Sequence, residues 1–160
     1  MRMRHLGGTI GISGALFIIA ADQWTKWLVI SSSLRESPHI MAPFLRLVYA
    51  ENTGAAFSLL ADSGIWGRYF LSGTAALIIA FLLAWLWRAS TRTEVLALTL
   101  LIGGAAGNLC DRMRLGYVID FIDVHWSGYH WPAFNLADSA ITVGALLLAW
   151  AVLVHPTAQN

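Results

Sequence analysis

Four long apolar stretches, separated by polar segments, dominate the pattern of the chain. They run over about 6–30, 67–88, 95–112 and 135–154. Each approaches the roughly 20 residues that a helix needs to cross the hydrocarbon core of a bilayer. The third is slightly short, so we expect its polar end to be sheltered by the other helices. The pattern predicts a mainly α, integral membrane fold, in which residues 1–160 form one domain with a bundle of four transmembrane helices.

The two long connections between these spans are expected on the same, outer side of the membrane. The first, about Ser31–Gly67, contains Phe44–Tyr49, whose β-rich and partly alternating pattern predicts an extended segment. Further along, Ala55–Leu60 predicts a short interfacial helix. In the second connection, about Met113–Ala133, the segment Gly116–Asp120 is also expected to be extended. Long loops of this kind often serve as lids or substrate platforms.

Tryptophan and arginine residues help to place the ends of the spans. Tryptophans occur near these ends, as in an interfacial aromatic belt: Trp24, Trp27, Trp66, Trp85, Trp87, Trp126 and Trp131. A secretory signal is the alternative for the N-terminus, but no clean small-x-small cleavage site precedes Asp22, and apolar sequence continues to Ile30. Arg2 and Arg4, with Arg88 and Arg92 in the short second loop, favour a cytoplasmic location for both termini.

Composition agrees with a membrane protein. The chain is 58% hydrophobic and 12% charged, whereas soluble domains contain about 25% charged residues. The net charge of +1 comes without a basic cluster, so no nucleic-acid partner is expected. The single cysteine, Cys110, excludes an intrachain disulfide and argues against a cysteine-based metal site.

Seven polar residues gather near the outer ends of the spans or in the outer loops. Ionisable side chains are costly in a membrane, and unrelated structural residues would be scattered over both faces. Their convergence therefore indicates a functional site. The seven residues are Asp22, Asn52, Asn108, Arg112, Asp120, Asn135 and Asp138.

Some of these residues also have purely structural interpretations. Asp138 follows Asn135 by three residues, as in a capping box at the start of a helix. Asp22 and Lys26 lie one helical turn apart and could neutralise each other. The Asn52-Thr53-Gly54 segment is by itself only a turn signal.

Arg112 has two interpretations of its own. It follows Asn108 and Asp111 on one face of the third helix. It could pair with Asp111 in a structural salt bridge, or it could hold a second carboxylate near a site.

The chemistry that these residues support best is a carboxylate dyad. No serine or cysteine nucleophile motif is present. Asp120 and Asp123 could hold magnesium, although an extended segment is a poor framework for it. His125 and His130 could be zinc ligands, but they are interpreted as surface loop residues. Asp120 and Asp138, if close together, would share a proton, so that one activates water while the other protonates the substrate.

Two other classes of function remain open from the residues alone. A small proton-coupled transporter would use Asp22 or Asp138 as its proton site, and it predicts a polar stripe through the membrane. The inner two-thirds of spans two to four are apolar, which disfavours such a pathway. A structural four-span assembly protein would leave the clustered carboxylates unexplained.

Five motifs, taken in order along nearly the whole chain, resemble the lipoprotein signal peptidase (signal peptidase II) family of bacterial aspartic membrane proteases. Cys110 stands where an aliphatic residue is expected. The motifs are Asp22-Gln23-x-x-Lys26, Asn52-Thr53-Gly54-Ala55-Ala56-Phe57, Gly107-Asn108-Leu109-Cys110-Asp111-Arg112, Val118-Ile119-Asp120-Phe121 and Phe134-Asn135-Leu136-Ala137-Asp138.

The resemblance implies particular roles for residues in these motifs. It implies Asp120 and Asp138 as the catalytic dyad, and we expect no metal or other cofactor. Supporting and substrate-binding roles are implied for Asp22, Lys26, Asn52, Gly54, Asn108, Arg112, Asn135 and Ala137.

The resemblance also implies a reaction and a location. The reaction is removal of the signal peptide from prolipoproteins, just before the diacylglyceryl-modified cysteine. The implied partners are these precursors, membrane lipid and cyclic peptide inhibitors of the globomycin type. The implied location is the bacterial cytoplasmic (inner) membrane, with both termini in the cytoplasm and the active site near the outer face.

Overall fold

The computed structural model describes residues 2–54 and 65–154. It confirms a mainly helical fold with a small antiparallel sheet, while the short helix predicted over Ala55–Leu60 lies outside the described residues. The helices are α1 (Arg2–Ile30), α2 (Ile65–Leu86), α3 (Arg92–Arg114) and α4 (Leu136–Val154). The strands are β1 (His39–Ala42), β2 (Leu45–Asn52), β3 (Val118–Trp126) and β4 (Tyr129–His130).

Three helices in the described part of the chain are long and apolar enough to cross a membrane, judged by length and composition. They are Trp66–Leu86, Arg92–Arg114 and Leu136–Leu153. The first helix, α1, is the longest at 29 residues but is not among these three, and it carries Asp22 and Lys26 in its last third.

The bundle has an apolar core that includes Leu86 and Leu98, but it also buries charged side chains and exposes large apolar ones. Phe17, Leu77 and Leu153 are 74%, 75% and 77% exposed, whereas Asp22 and Lys26 are 0% and 2% exposed. The exposed apolar side chains suit a surface that faces lipid.

Helix α3 extends beyond the predicted span at both ends because both ends are capped. At its start, the Thr91 hydroxyl accepts from the backbone N–H of Glu94, and the Glu94 carboxylate accepts from the backbone N–H of Ser90. The two bonds resemble a capping box, with the carboxylate reaching the residue before the N-cap. At its end, the basic side chains of Arg112 and Arg114 complement the helix dipole. The polar end is sheltered as expected, since Asn108 and Asp111 are buried.

Small residues let α3 pack closely against α1 and α4. A Cβ atom at Gly103 would lie 2.8 Å from the Cβ of Ile18, and one at Gly107 would lie 2.7 Å from Asp22 Oδ2. A Cβ atom at Gly104 would collide with the backbone carbonyl oxygen of Ala137. The glycines therefore bring polar groups of three helices within hydrogen-bonding distance of one another.

Gly104→Ala should lower the stability of the protein, because the obstructing atom is backbone and can yield only if α4 moves. Overpacking of this kind costs about 1–3 kcal/mol. Gly73→Ala in α2 is the matched control, since a Cβ atom there would meet nothing within 4 Å. Thermal unfolding in detergent measures both variants. A Gly104→Ala protein as stable as Gly73→Ala would contradict the close packing of α3 on α4.

The sheet continues directly from the helices and has the strand order β1-β2-β3-β4, with every neighbouring pair antiparallel. The extended conformation predicted for Phe44–Tyr49 is confirmed from Leu45 onward, and that predicted for Gly116–Asp120 is confirmed from Val118 onward. Gly116, whose φ of +90° favours glycine, turns the chain from α3 into β3. Ala50 pairs with Asp120 in the register of β2 and β3, which places Asn52 near Asp120.

Candidate active site

At one end of the bundle, helices α1 and α3 end and helix α4 begins. Strand β2 ends and strand β3 begins at the same place. Consecutive helices run in opposite directions, so these three ends necessarily lie on the same side. All of the residues predicted for the site lie on these elements or within two residues of their ends: Asp22, Lys26, Asn52, Gly54, Asn108, Arg112, Asp120, Asn135, Ala137 and Asp138.

Asp120 is a buried carboxylate held by two amides. Its Oδ1 accepts from Asn135 Nδ2 at 2.7 Å, and its Oδ2 accepts from Asn52 Nδ2 at 2.9 Å. Burial raises the pKa of Asp120 to about 6, and the nearby charge of Asp138 acts in the same direction. The two amide hydrogen bonds and the charge of Lys26 lower this pKa in part. Asp120 can therefore exchange a proton near neutral pH.

Asp138 serves as a helix cap and also faces Asn108. Its Oδ2 accepts from the backbone N–H of Asn135 at 3.3 Å, while its own backbone N–H donates to Asn135 Oδ1 at 2.8 Å. Its Oδ1 accepts from Asn108 Nδ2 at 2.7 Å. The capping interpretation is thus correct, but it accounts for only one of the two carboxylate oxygens.

Two asparagines join the carboxylates of Asp120 and Asp138. Asn135 Nδ2, which donates to Asp120, also lies 3.1 Å from Asn108 Oδ1. The Nδ2 of Asn108 in turn donates to Asp138. Because the donors and acceptors alternate along this path, the network fixes the orientation of both amides.

The Asp22–Lys26 pair exists, but mutual neutralisation does not describe it fully. Lys26 Nζ lies 2.8 Å from Asp22 Oδ2 and also 2.8 Å from Asp111 Oδ2. The second Asp22 oxygen accepts from the backbone N–H of Ala137 at 3.0 Å, within the first turn of α4. Ala137 is itself 0% exposed.

Asp111 and Gln23 belong to this network, although the sequence prediction did not include them among the site residues. Gln23 Nε2 donates to Asp111 Oδ1 at 2.8 Å, and the backbone N–H of Ile119 donates to Asp111 Oδ2 at 3.2 Å. The signal was available in the sequence, because Asp111 lies three residues after Asn108 on the same helical face. Its proposed pairing with Arg112 hid this role.

Arg112 is not the partner of Asp111, since among the described residues Asp111 forms its ion pair with Lys26. The Arg112 guanidinium is half-buried and interacts electrostatically with Asp138, Asp111 and Asp120. Its charge therefore acts on the site as a whole.

Gly54 follows β2 and orients the side-chain amide of Asn52. Its φ of +92° suits glycine, and its backbone N–H donates to Asn52 Oδ1 at 2.9 Å. This hydrogen bond turns the Asn52 amide so that its NH2 group faces Asp120.

Asp123 lies apart from the site, which argues against the magnesium interpretation. Residues at odd separations on a strand point to opposite faces, and Asp123 is three positions after Asp120. It pairs with Arg46 and with His130, whose Nδ1 lies 2.9 Å from Asp123 Oδ1. Although burial opposes it, the hydrogen bonds from His130 and Arg46 hold the pKa of Asp123 below its usual value. His130 is thus the partner of Asp123 on the surface of the sheet.

Comparison with known proteins gives consistent matches along most of the chain. The family described as signal peptidase (SPase) II matches residues 14–154. The lipoprotein signal peptidase of Acinetobacter baumannii (strain SDF) is 46% identical over 141 residues, covering 87% of this chain and 79% of the relative. That of Serratia marcescens is 46% identical over 151 residues, covering 94% and 88%.

Solved structures show the same fold. A bacterial membrane enzyme, solved by the in meso method at 2.3 Å resolution, superimposes with a TM-score of 0.80 and 31% identity, covering 95% of this chain and 92% of that one. Another, solved at 1.9 Å, gives a TM-score of 0.78 with 32% identity and coverage of 91% and 93%. Together with the three apolar helices, these neighbours indicate a multi-pass membrane protein.

Proposed function

Because the chain belongs to the signal peptidase II family, the aspartic proteases that remove signal peptides from prolipoproteins, we propose that Asp120 and Asp138 are its catalytic dyad. The observation that carries this proposal is the path between the two carboxylates through Asn135 and Asn108, with hydrogen bonds of 2.7, 3.1 and 2.7 Å. It adds to the backbone hydrogen bonds between β3 and Phe134, two residues before α4, and links the two carboxylates.

The geometry supports different roles in proton transfer for the two aspartates. Two nearby carboxylates cannot both ionise cheaply, so the pair shares one proton. Asp120, whose pKa is raised to about 6, is the member that retains it. Asp138 lies in the first turn of α4, where unpaired amides and the helix dipole favour an anion. Asp138 is therefore the proposed base and Asp120 the proposed acid.

The reaction then follows from these roles. Asp138 takes a proton from a water molecule, whose oxygen attacks the carbonyl carbon of the scissile peptide bond. Asp120 donates its proton to the carbonyl oxygen, which stabilises the tetrahedral intermediate. When the carbon–nitrogen bond breaks, the proton held by Asp138 passes to the leaving amine. One hydroxyl of the intermediate returns its proton to Asp120, which leaves a carboxylic acid and restores the starting state of the pair. The amides of Asn52, Asn108 and Asn135 hold both carboxylates in place throughout.

Arg112 is the proposed electrostatic partner of the substrate. It acts on three carboxylates through its charge, and within the described part of the chain it makes no direct ion pair with any of them. A guanidinium with unused donors beside a catalytic pair can hold a peptide carbonyl or a lipid ester oxygen.

The position of the site suits a substrate that arrives within the membrane. An apolar signal helix and a diacylglyceryl-modified cysteine can both diffuse laterally to the end of the bundle, where water is available. We propose that α1 is the fourth span and that the chain resides in the bacterial inner membrane. Both termini would then face the cytoplasm and the site the outer side, where membrane lipid and globomycin-type cyclic peptides also have access.

Cleavage of a diacylglyceryl-modified precursor peptide by the purified chain tests the assignment, with Asp120→Asn and Asp138→Asn as the comparison. Mass spectrometry locates the bond that is cut. Substantial turnover by either aspartate variant would refute the dyad.

The pH profile should show a descending alkaline limb for kcat/KM. The proposed mechanism needs one proton on the pair, and that proton is lost as the pH rises through the pKa of Asp120, about 6 in the free enzyme. Because the two groups are coupled, the measured value belongs to the pair. Initial rates between pH 4 and 9 measure it, and a profile that keeps rising through this range would contradict the assignment of Asp120 as the acid.

The proposed orientation can be tested by thiol labelling in whole cells. Single cysteines at Thr91 and Gly128, in a Cys110→Ser background, lie in the α2–α3 connection and the β3–β4 turn. An impermeant reagent added from outside should label position 128 but not position 91. Labelling at position 91 alone would show that the orientation is inverted.

A further inference from the structure

Lys26 forms a buried three-way junction beside the two aspartates. An ammonium group has three N–H donors, and each finds an acceptor here. Lys26 Nζ lies 2.8 Å from Asp22 Oδ2, 2.8 Å from Asp111 Oδ2 and 3.0 Å from Asn108 Oδ1. The residue is 2% exposed. The three acceptors come from two different helices, so the ammonium fixes α1 to α3 at this depth.

Two arms of this junction lead to Asp138. Asp22 uses its other oxygen to accept the backbone N–H of Ala137, the residue that immediately precedes Asp138. Asn108 accepts from Lys26 with its oxygen and therefore presents its NH2 group to Asp138 Oδ1, at 2.7 Å. One arm places the backbone of Asp138 and the other orients its carboxylate.

The third arm leads to Asp120. Asp111 Oδ2, which contacts Lys26, also accepts the backbone N–H of Ile119 at 3.2 Å, and Ile119 immediately precedes Asp120. Gln23 holds the other oxygen of Asp111 at 2.8 Å, which keeps this carboxylate from rotating away. The start of the strand that carries Asp120 is thus tied to the same ammonium.

We propose that Lys26 and Asp111 form a positioning unit that sets the separation and orientation of the catalytic aspartates. This inference rests on the proposed dyad and adds to it a device that couples β3 to α4 through one buried cation. Neutralisation of Asp22 does not explain the arrangement, because Lys26 Nζ also contacts Asp111 Oδ2 and Asn108 Oδ1. A lysine that only neutralised Asp22 would need no contact with Asp111 or Asn108.

The test compares Lys26→Arg and Lys26→Met with the wild type in the cleavage assay. Arginine keeps the charge but, being planar, does not present three N–H groups to three converging acceptors. Since small displacements of catalytic groups cost about a hundredfold in rate, kcat should fall by about that factor in both variants. KM should change little, because neither residue is proposed to touch the substrate. If Lys26→Arg kept the wild-type kcat, Lys26 would contribute only its positive charge, and the proposal would be overturned.

The pH profile provides a readout that a purely structural role would not move. The charged groups that act on Asp120 are Asp138 from α4, Arg112 from α3 and Lys26 from α1. Burial raises the pKa of Asp120, and the charge of Lys26 lowers it. Lys26→Met should therefore shift the alkaline limb to higher pH, whereas Lys26→Arg should leave it near the wild-type position. An unshifted limb in Lys26→Met would count against the proposal.

A neutral triple variant keeps the test decisive if a single variant does not fold. Asp22→Asn, Lys26→Met and Asp111→Asn together remove every charge of the cluster but retain oxygen acceptors for the N–H groups of Ala137 and Ile119. Buried ion clusters can often be replaced in this way without loss of stability. We expect a folded protein with strongly reduced kcat. A folded triple variant with wild-type kcat, or one that does not fold, would overturn the positioning role.

The outcomes also separate this inference from the proposed function. If Asp120→Asn and Asp138→Asn are inactive while the triple variant is fully active, only the positioning unit fails. If either aspartate variant retains substantial turnover, the dyad itself fails, whatever the Lys26 variants do.

Discussion

Asp120→Asn and Asp138→Asn should each reduce cleavage of a lipidated precursor by at least about a thousandfold, within the range that general acid–base groups contribute. Asparagine keeps the size and much of the hydrogen bonding of aspartate but cannot take up or release the proton. Each variant therefore leaves the shape of the site intact and removes one of its two proton-transfer steps. The double variant should be little worse than either single one, since groups that act as a unit are not additive.

Asp123→Asn is the matched control for these variants. It lies on the same strand, three residues beyond Asp120, and its carboxylate contacts Arg46 and His130 instead of the site. Its cleavage rate should stay within a few-fold of the wild type. Thermal unfolding and binding of a globomycin-type peptide report whether the inactive variants are folded. Substantial turnover by a purified single variant of the dyad would disprove the aspartic mechanism assigned to these two residues.

Asn135→Ala should have the next largest effect, because one side chain serves both aspartates. Its amide donates to Asp120 Oδ1 at 2.7 Å, and its oxygen accepts the backbone N–H of Asp138 at 2.8 Å. Loss of the cap costs about 1 kcal/mol, and the buried groups left without partners cost about 1–3 kcal/mol more. Cleavage should fall by about a hundredfold, since Asp120 loses one of its two amide donors.

Asn135→Ser separates the two contributions. Serine is as good a helix cap as asparagine, but its hydroxyl is too short to reach Asp120. Its stability should lie above that of Asn135→Ala by about the value of a cap, roughly 1 kcal/mol, while its kcat should be reduced to a similar extent. Unfolding in detergent and steady-state kinetics measure the two quantities. Full activity in Asn135→Ser would show that Asn135 matters only as a cap.

Much of the architecture follows from local patterns that the chain alone displays. The apolar stretches predict helices because a helix that crosses a membrane needs about 20 consecutive, mostly apolar residues. The length of each stretch therefore indicates the approximate length of its helix. The alternation in Phe44–Tyr49 predicts a strand for a similar reason. The extent of α3 was harder to predict, because its last turn is polar and is stabilised by burial of Asn108 and Asp111 against other elements.

The residues of the candidate site could be predicted from the sequence, but the contacts between them could not. Asp120 and Asp138 are conspicuous because an aspartate is costly at the edge of an apolar span. The partner of Asp111 was not evident, since Arg112 is its neighbour in sequence and only the packing of α1 on α3 brings Lys26 within 2.8 Å.

The sequence by itself therefore determined the helical membrane character of the chain, the order of its spans and the residues available for chemistry, since each depends on composition or on spacing within one segment. Only the tertiary structure decided which of those residues touch. Gly104 and Gly107 let three helices converge, and the register of β2 on β3 places Asn52 beside Asp120. Contacts between segments distant in sequence arise from packing and strand register, and no local pattern encodes them.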